Sequence, residues 1–241
     1  YDCSTMRIAI LTTGAIRRRF FVESLQREFN VDRVFIETRE PKPPVPTDHS
    51  MDEARKLRER DYWYGGAPPA FKDIADIQTF ESLNDSAAIS ALGAIEPDVT
   101  LVYGTGLLGK TILVQCGDTC LNFHNGDPEE YRGLDCHLWS LYHRDFAALK
   151  MTLHWVEPTL DTGAIVDRHP LPLSKDMPLS DLRRVATELT VEMAISALRE
   201  YAEKGEIPSK PQRQRGRYYS NMPAVLKDIC VRNFERHTAA L

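Results

Sequence analysis

Three side chains of suitable type and spacing could do chemistry here: Asn122, His124 and Asp161. The first two lie two residues apart at the end of the run "DTCLNFH", and the third follows "MTLHWV" in the stretch "EPTLDTG". An amide N–H can donate to an oxygen that gains negative charge during acyl transfer. An imidazole, with an unperturbed pKa of ~6.5, accepts or delivers a proton at neutral pH. A carboxylate can orient that imidazole and tune its charge. No Ser or Cys is suggested as a nucleophile, so the simplest scheme is direct attack by an amine of the substrate. Taken alone, the same residues are also compatible with a structural histidine.

Such a set has to be held by strand ends. "RIAILTT" reads as a strand, "AIRRRFFVESLQREF" as a helix with Ile16, Phe20, Leu25 and Phe29 near one face, and "DRVFIET" as a second strand. A β-α-β opening of this kind predicts a right-handed crossover into a parallel sheet. Residues 39–73 break the pattern with the Pro-rich "PKPPVP" and the charged helix "MDEARKLRERDYW", where Asp52 and Lys56 have i,i+4 spacing. This excursion is expected to be either a lid or a solvated helix. Regular structure resumes with the strand "DIQTF", a helix capped by Asn84 or Asp85, the buried strand "DVTLVYG" and the strand carrying Asn122 and His124. "DCHLWSLYHRD" reads as a helix, and "MTLHWVE" and "GAIVDRHPL" as strands. A long amphipathic helix follows, with a stripe of Leu182, Val185, Ala186, Leu189 and Met193 and a stop at Gly205. In an open α/β sheet, ligands gather at the carboxyl ends of the strands, where Asn122, His124 and Asp161 are expected to converge. Residues 6–205 are expected to form the catalytic unit. Residues 206–241, basic and Pro-bounded, are expected to form a small extension of a hairpin and a helix.

The 241-residue chain has a net charge of −5, so no overall attraction to nucleic acid is expected. It has no apolar run long enough to span a bilayer and no secretory signal pattern. Its five cysteines, Cys3, Cys116, Cys120, Cys136 and Cys230, suit reduced thiols in the cytoplasm. Met6 is expected to be the native start, with Tyr1–Thr5 a remnant ahead of it.

The motifs, taken in order, resemble those of the folate-dependent formyltransferases. Members of that family carry an Asn-x-His strand end, a loop closing in Tyr-Arg-Gly, and an Asp-x-Gly after a Val-Thr-x-His strand. Here these are "NFH", "YRG" at Tyr131–Gly133 and "MTLHWVEPTLDTG". "FESLNDSAAISALGAIEPDVTLVYGTGLL" is similar to the segment before the family's folate pocket. The resemblance implies a Rossmann-like α/β formyltransferase fold with a mostly parallel sheet flanked by helices. It implies 10-formyltetrahydrofolate as co-substrate, with no metal, and a catalytic trio of Asn122, His124 and Asp161. It also implies folate contacts at Gly106, Leu107, Leu108, Val156, Glu157 and Asp161.

One loop departs from the family pattern. A Pro and a Ser-Leu-Leu-Pro-like stretch commonly follow the His, whereas "NGDPEE" follows His124. A loop of this kind resembles those of enzymes acting on nucleotide-linked amino sugars. The expected acceptor contacts are therefore Asn125, Asp127, Glu129, Tyr131 and Arg132. Thr13, Gly14 and Arg17 are expected at a phosphate, because a helix N-terminus favours an anion. Glu130 is expected either to bond sugar hydroxyls or to keep the loop soluble. Tyr218 and Tyr219 are expected either to stack on a base or to pack internally. A small amino-sugar nucleotide is the expected partner, nucleic acid is not, and the C-terminal hairpin is expected to pair two chains. Methionyl-tRNA formyltransferase-like and formyltetrahydrofolate hydrolase activities remain alternatives. So does a non-catalytic ligand-binding module, or one holding zinc among Cys116, Cys120, His124, Cys136 and His137.

Overall fold

The computed structural model describes residues 6–40 and 42–241, so the expected remnant with Cys3, and Pro41, lie outside the described residues. Ile8–Thr13 forms strand β1, buried along nearly its whole length, as a β-branched run covered on both faces should be. It leads into α1 (Ile16–Gln26) and β2 (Arg33–Glu37). After α2 (Ser50–Tyr64) come β3 (Ile77–Phe80), α3 (Ser86–Gly93), β4 (Val99–Val102) and the short α4 (Lys110–Leu113). β5 (Thr119–His124), β6 (Tyr131–Gly133), α5 (Cys136–Tyr142), β7 (Lys150–Trp155) and β8 (Ile165–Pro170) complete the central part. The chain ends with α6 (Leu179–Lys204), β9 (Arg217–Tyr219) and α7 (Ala224–Ala239).

Seven strands form one sheet in the order β3-β2-β1-β4-β5-β7-β8, parallel from β3 to β5. β7 and β8 add antiparallel at the far edge. Strand order reverses between β1 and β4, which opens a crevice beyond their carboxyl ends. This is the mostly parallel α/β sheet that the sequence predicts. Phe21 of α1, Tyr103 after β4 and Phe123 of β5 interlock beneath the crevice, with ring centroids 5.1–5.8 Å apart. Among the described residues, no helix is long and apolar enough to cross a membrane.

Several local expectations change. Phe21 and Val22, rather than Ile16 and Phe20, share the core face of α1 with Leu25. The reason is that α2 covers α1 from outside, and Phe20 stacks on Trp63 with centroids 4.3 Å apart. Residues 50–64 are accordingly a docked helix rather than a solvated one. Arg58 bonds Asp181 of α6 at 2.7 and 2.9 Å, Trp63 donates to Glu188, and Glu59 pairs with Arg183. Asp52 and Lys56 do not pair. Asp52 accepts from Arg55 and from the buried Lys227, and Lys56 takes Glu53. Asp85 is the N-cap residue of α3, one of the two expected, but its carboxylate accepts from Ser82 N–H instead of capping the helix, and Asn84 is engaged with Gly109.

The segment after Ile207 is not a hairpin. β9 pairs parallel with β6, and Lys210 bridges to Ile165, so this stretch straps the "YRG" motif to the sheet edge. Its apolar contacts explain the choice: Tyr219 stacks on Tyr131, with centroids 5.3 Å apart, and lies against Trp139. Gly216 and Gly133 permit the close approach, since a Cβ at Gly133 would sit 2.2 Å from the Tyr219 carbonyl oxygen.

Candidate active site

Asn122 and His124 alternate onto one face of β5, and the antiparallel register sets His154 of β7 directly opposite Asn122. Because β7 runs against β5, the loop after β7 does not emerge beside the end of β5. It instead passes over the sheet face, where Asp161, in the left-handed region at φ 53°, reaches both imidazoles. Its Oδ2 lies 3.5 Å from His124 Nδ1 and its Oδ1 lies 3.5 Å from His154 Nε2. All three of these side chains are buried.

Backbone groups fix the tautomers. His124 Nε2–H donates to the Tyr131 carbonyl at 2.8 Å, so Nδ1 is left as the basic atom facing Asp161. His154 Nδ1–H donates to the Trp155 carbonyl at 2.7 Å, and Nε2 then accepts from the Asn122 amide at 3.1 Å. One Asn122 N–H is spent in this way, and the second has no partner among the described residues. The "YRG" motif organises the whole set. Tyr131 supplies the carbonyl, Gly133 N–H donates to Asp161 Oδ2 at 2.8 Å, and Arg132 holds the Leu160 carbonyl at 3.0 Å.

Burial lowers the His124 pKa, with Asp161 acting in the opposite direction, so the imidazole is neutral at pH 7. Burial opposes ionisation of Asp161, but the field of His124, then the carboxylate's close approach to His154 and the hydrogen bond from the Gly133 N–H, prevail. They hold its carboxyl at about 2. The resting pair is therefore a neutral base beside a carboxylate.

These residues form one wall of a cavity of about 560 Å³. Gly106, Leu107, Leu108, Val156 and Glu157, expected at folate, line it too, as do Asn125 and Arg17. Leu108 also belongs to the core, whereas Leu107 is 60% exposed. The 105–109 loop is tied down by residues that sequence reading did not assign to the site. Glu37 at the end of β2 accepts from Gly106 N–H at 2.7 Å, while Asn84 accepts from Gly109 N–H and donates to the Leu107 carbonyl. Arg18, which follows Arg17 in the same basic turn, lines the cavity as well, and so do Arg55 and Arg183, which sequence reading did not assign to it.

The acidic loop serves a different end from the one expected, and Thr13, Gly14, Asp127, Glu129, Tyr131 and Arg132 do not line the cavity. Asp127 accepts from Arg168 at 2.6 Å and Lys150 at 2.9 Å. Glu129 accepts from Arg213 N–H at 2.6 Å and Arg168 at 2.8 Å. Glu130 is exposed and accepts from Gln214. Buried carboxylates with two cationic partners each are committed to the scaffold rather than offered to a sugar. Tyr131 is packed under Tyr219, and Arg132 holds the Asp161 loop. Tyr218 is 56% exposed at the cavity.

The Arg213 N–H, then Arg168, hold the Glu129 carboxyl at about 2, below an unfolded value of ~4.3. This contribution to stability is complete above the unfolded value and is lost as pH falls through about 2. Glu129→Gln is therefore expected to lower the melting temperature at pH 7, with the difference closing toward pH 2. Equal melting temperatures at pH 7 would show that the loop does not depend on this charge.

The histidines and thiols once open to a zinc reading are engaged elsewhere. His137 Nε2 donates to the Lys150 carbonyl at 2.7 Å, and the Cys116 thiol to the Ile112 carbonyl. Among the described residues, no group of three or more His, Cys, Asp or Glu side chains could hold a metal ion.

Known proteins with similar features share this architecture. The chain is 29% identical over 161 residues to methionyl-tRNA formyltransferase of Ralstonia nicotianae, covering 65% of this chain and 47% of that protein. It thus spans about half the length of such relatives. A candidate sugar N-formyltransferase from Mycobacterium tuberculosis superposes with a TM-score of 0.61 at 14% identity, covering 90% of this chain and 75% of that one. A formyltransferase from Anoxybacillus kamchatkensis, solved with UDP-4,6-dideoxy-4-formamido-L-AltNAc and tetrahydrofolate, gives 0.52 at 17% identity, covering 89% and 85%. At these identities the two structures speak for the fold. The formyl transferase family model matches residues 6–198, which take in the sheet, the cavity wall and Asn122, His124 and Asp161, and the chain belongs to that family.

Proposed function

We propose that this chain transfers a formyl group from 10-formyltetrahydrofolate to the amine of a small acceptor, an amino sugar carried on a nucleotide. The observation that carries the reading is the meeting of Asn122, His124 and Asp161 on one sheet face, at the wall of a cavity. The co-substrate, when bound, supplies a formyl carbon open to attack by an amine. The lining suits its flat heterocycle. Val102, Leu107, Leu108 and Val156 offer apolar surface, and backbone groups at Gly104, Thr105 and Leu108 offer polar contacts.

Each residue has a defined part. The unspent Asn122 N–H donates to an oxygen gaining negative charge. His124 Nδ1 holds the proton shed by an attacking amine, Asp161 stabilises the imidazolium that results, and that proton would pass to the departing folate nitrogen as its bond to the formyl carbon breaks. His154 positions the Asn122 amide. Asn122→Ala is expected to lose ~10²–10³-fold in kcat. If His154 acts through that amide, the Asn122→Ala/His154→Ala double variant is no slower than Asn122→Ala alone. Multiplying losses would mean that His154 acts independently.

An amino-sugar nucleotide is favoured by the sugar-linked ligand of the Anoxybacillus neighbour. Methionyl-tRNA is the second acceptor class, favoured by the sequence relatives. Tetrahydrofolate release should be assayed with 10-formyltetrahydrofolate, a panel of amino-sugar nucleotides, methionyl-tRNA and no acceptor. Release dependent on a sugar nucleotide supports the proposal. Release with methionyl-tRNA alone replaces the acceptor, and release without acceptor indicates a hydrolase.

A further inference from the structure

At the same cavity, α1, α2 and α6 bring four guanidiniums together, from Arg17, Arg18, Arg55 and Arg183. Their compensation within the protein is incomplete. Arg183 has Glu59, and Arg55 has Asp52 at 3.3 Å, an aspartate shared with the buried Lys227. Asp135, also on the cavity, accepts from Met222 N–H. Among the described residues, Arg17 and Arg18 have no carboxylate partner. Arg17 Nε, Arg18 Nε and Nη1, and Arg55 Nε are buried without any hydrogen bond. Arg18 is 3% exposed and lies on the Tyr103 ring, its Cζ 3.3 Å from the centroid, which offsets only part of its burial. Arg55 is 8% exposed. Burial, then the neighbouring guanidiniums, lower the pKa of Arg17.

Buried, unpaired cations are costly, and a fold retains them where a ligand supplies the counter-charge. Guanidinium forks match phosphate oxygens, two or more at a time. Resting on the formyl-transfer reading for the identity of the acceptor, we propose that Arg17, Arg18, Arg55 and Arg183 form a buried receptor for its phosphate or diphosphate group. Two guanidiniums without carboxylate partners call for an anion of at least two charges. The depth of Arg18 and Arg55 favours a small phosphorylated molecule over a nucleic-acid backbone, whose phosphates meet exposed cations. This receptor replaces the expected contact through Thr13 and Gly14. It uses α2, the helix brought in by the 39–73 excursion.

The test is a calorimetric titration of inorganic pyrophosphate into the full chain at constant ionic strength, with sodium acetate as control. It is repeated for Arg17→Gln and Arg55→Met, with melting temperatures and tetrahydrofolate binding measured on each protein. Saturable pyrophosphate binding is expected, displaced by a nucleoside diphosphate and weakened at least ~10-fold in each variant, as loss of a charge-assisted bond implies. In phosphate-free buffer, Arg17→Gln is expected to melt higher than the unsubstituted chain, since a half-buried charge without a carboxylate partner has gone. If one variant fails to fold, the unsubstituted chain and the other variant decide the matter. Non-saturable binding, or equal affinity in a folded variant, would overturn the proposal. So would displacement by tRNA but not by a nucleoside diphosphate. Pyrophosphate binding without tetrahydrofolate binding would instead sink the formyl-transfer reading and leave the anion receptor standing.

Discussion

His124→Ala is expected to reduce kcat/KM by ~10²–10⁴-fold, the usual worth of a positioned general base. The expectation follows from the two ring nitrogens having different tasks. Nε2–H is fixed on the Tyr131 carbonyl, so only Nδ1 can take a proton, and it faces Asp161. Burial keeps the ring neutral at pH 7, which leaves that lone pair available. Alanine also empties a buried volume, so turnover must be read with melting temperature and tetrahydrofolate affinity. His124→Gln is the companion variant, because its amide nitrogen reaches the position of Nε2 and can still donate to the Tyr131 carbonyl but has no useful basicity. Both variants should bind tetrahydrofolate and fail to turn over. Turnover within about threefold of the unsubstituted enzyme in either variant would remove His124 from proton transfer, since general-base loss is larger.

Asp161→Asn is expected to cost on the order of 10²-fold in rate and to move the acid limb of the pH profile. The sign follows from the charges. His124 must be neutral to accept a proton, so activity rises with pH through its pKa, below the usual ~6.5. Asp161 raises that pKa, so its removal lowers it further and shifts the limb to more acidic pH. The variant therefore retains a larger share of its pH 7 rate at pH 5. Stability should change as well. Asp161 has a folded pKa of about 2 against ~3.9 unfolded, so its contribution is complete above the unfolded value and is lost as pH falls through about 2. The melting-temperature deficit of Asp161→Asn at pH 7 should shrink on acidification. An unshifted limb would make Asp161 a loop residue that accepts from Gly133 N–H and does nothing for His124.

Most of the sheet was legible in the sequence, because buried parallel strands are continuous apolar runs and Gly205 marks the end of α6. The shared face of Asn122 and His124 was legible for a related reason, since residues two apart on a strand point the same way. His154 was harder to read. It lies within the quoted "MTLHWV", yet its role depends on the β5–β7 register, which apolar patterning does not specify. The arginine cluster was only partly legible: Arg17 stands in a visible basic turn, but Arg55 and Arg183 join it through helix packing. The acidic loop misled because its partners, Lys150, Arg168 and Arg213, lie far along the chain. Local composition could not tell a scaffold carboxylate from one offered to a ligand. β9 was misread for the same reason, its partner being the distant "YRG" segment rather than a neighbouring strand.

The central claim is that this site moves a formyl group to an amine. Its most direct test supplies 10-formyltetrahydrofolate labelled at the formyl carbon together with amino-sugar nucleotides, and follows the label by mass spectrometry. Label on the sugar nitrogen of one acceptor, absent with His124→Gln, is the predicted result. Label released as free formate, or left on the folate with every sugar nucleotide and with methionyl-tRNA, would contradict it.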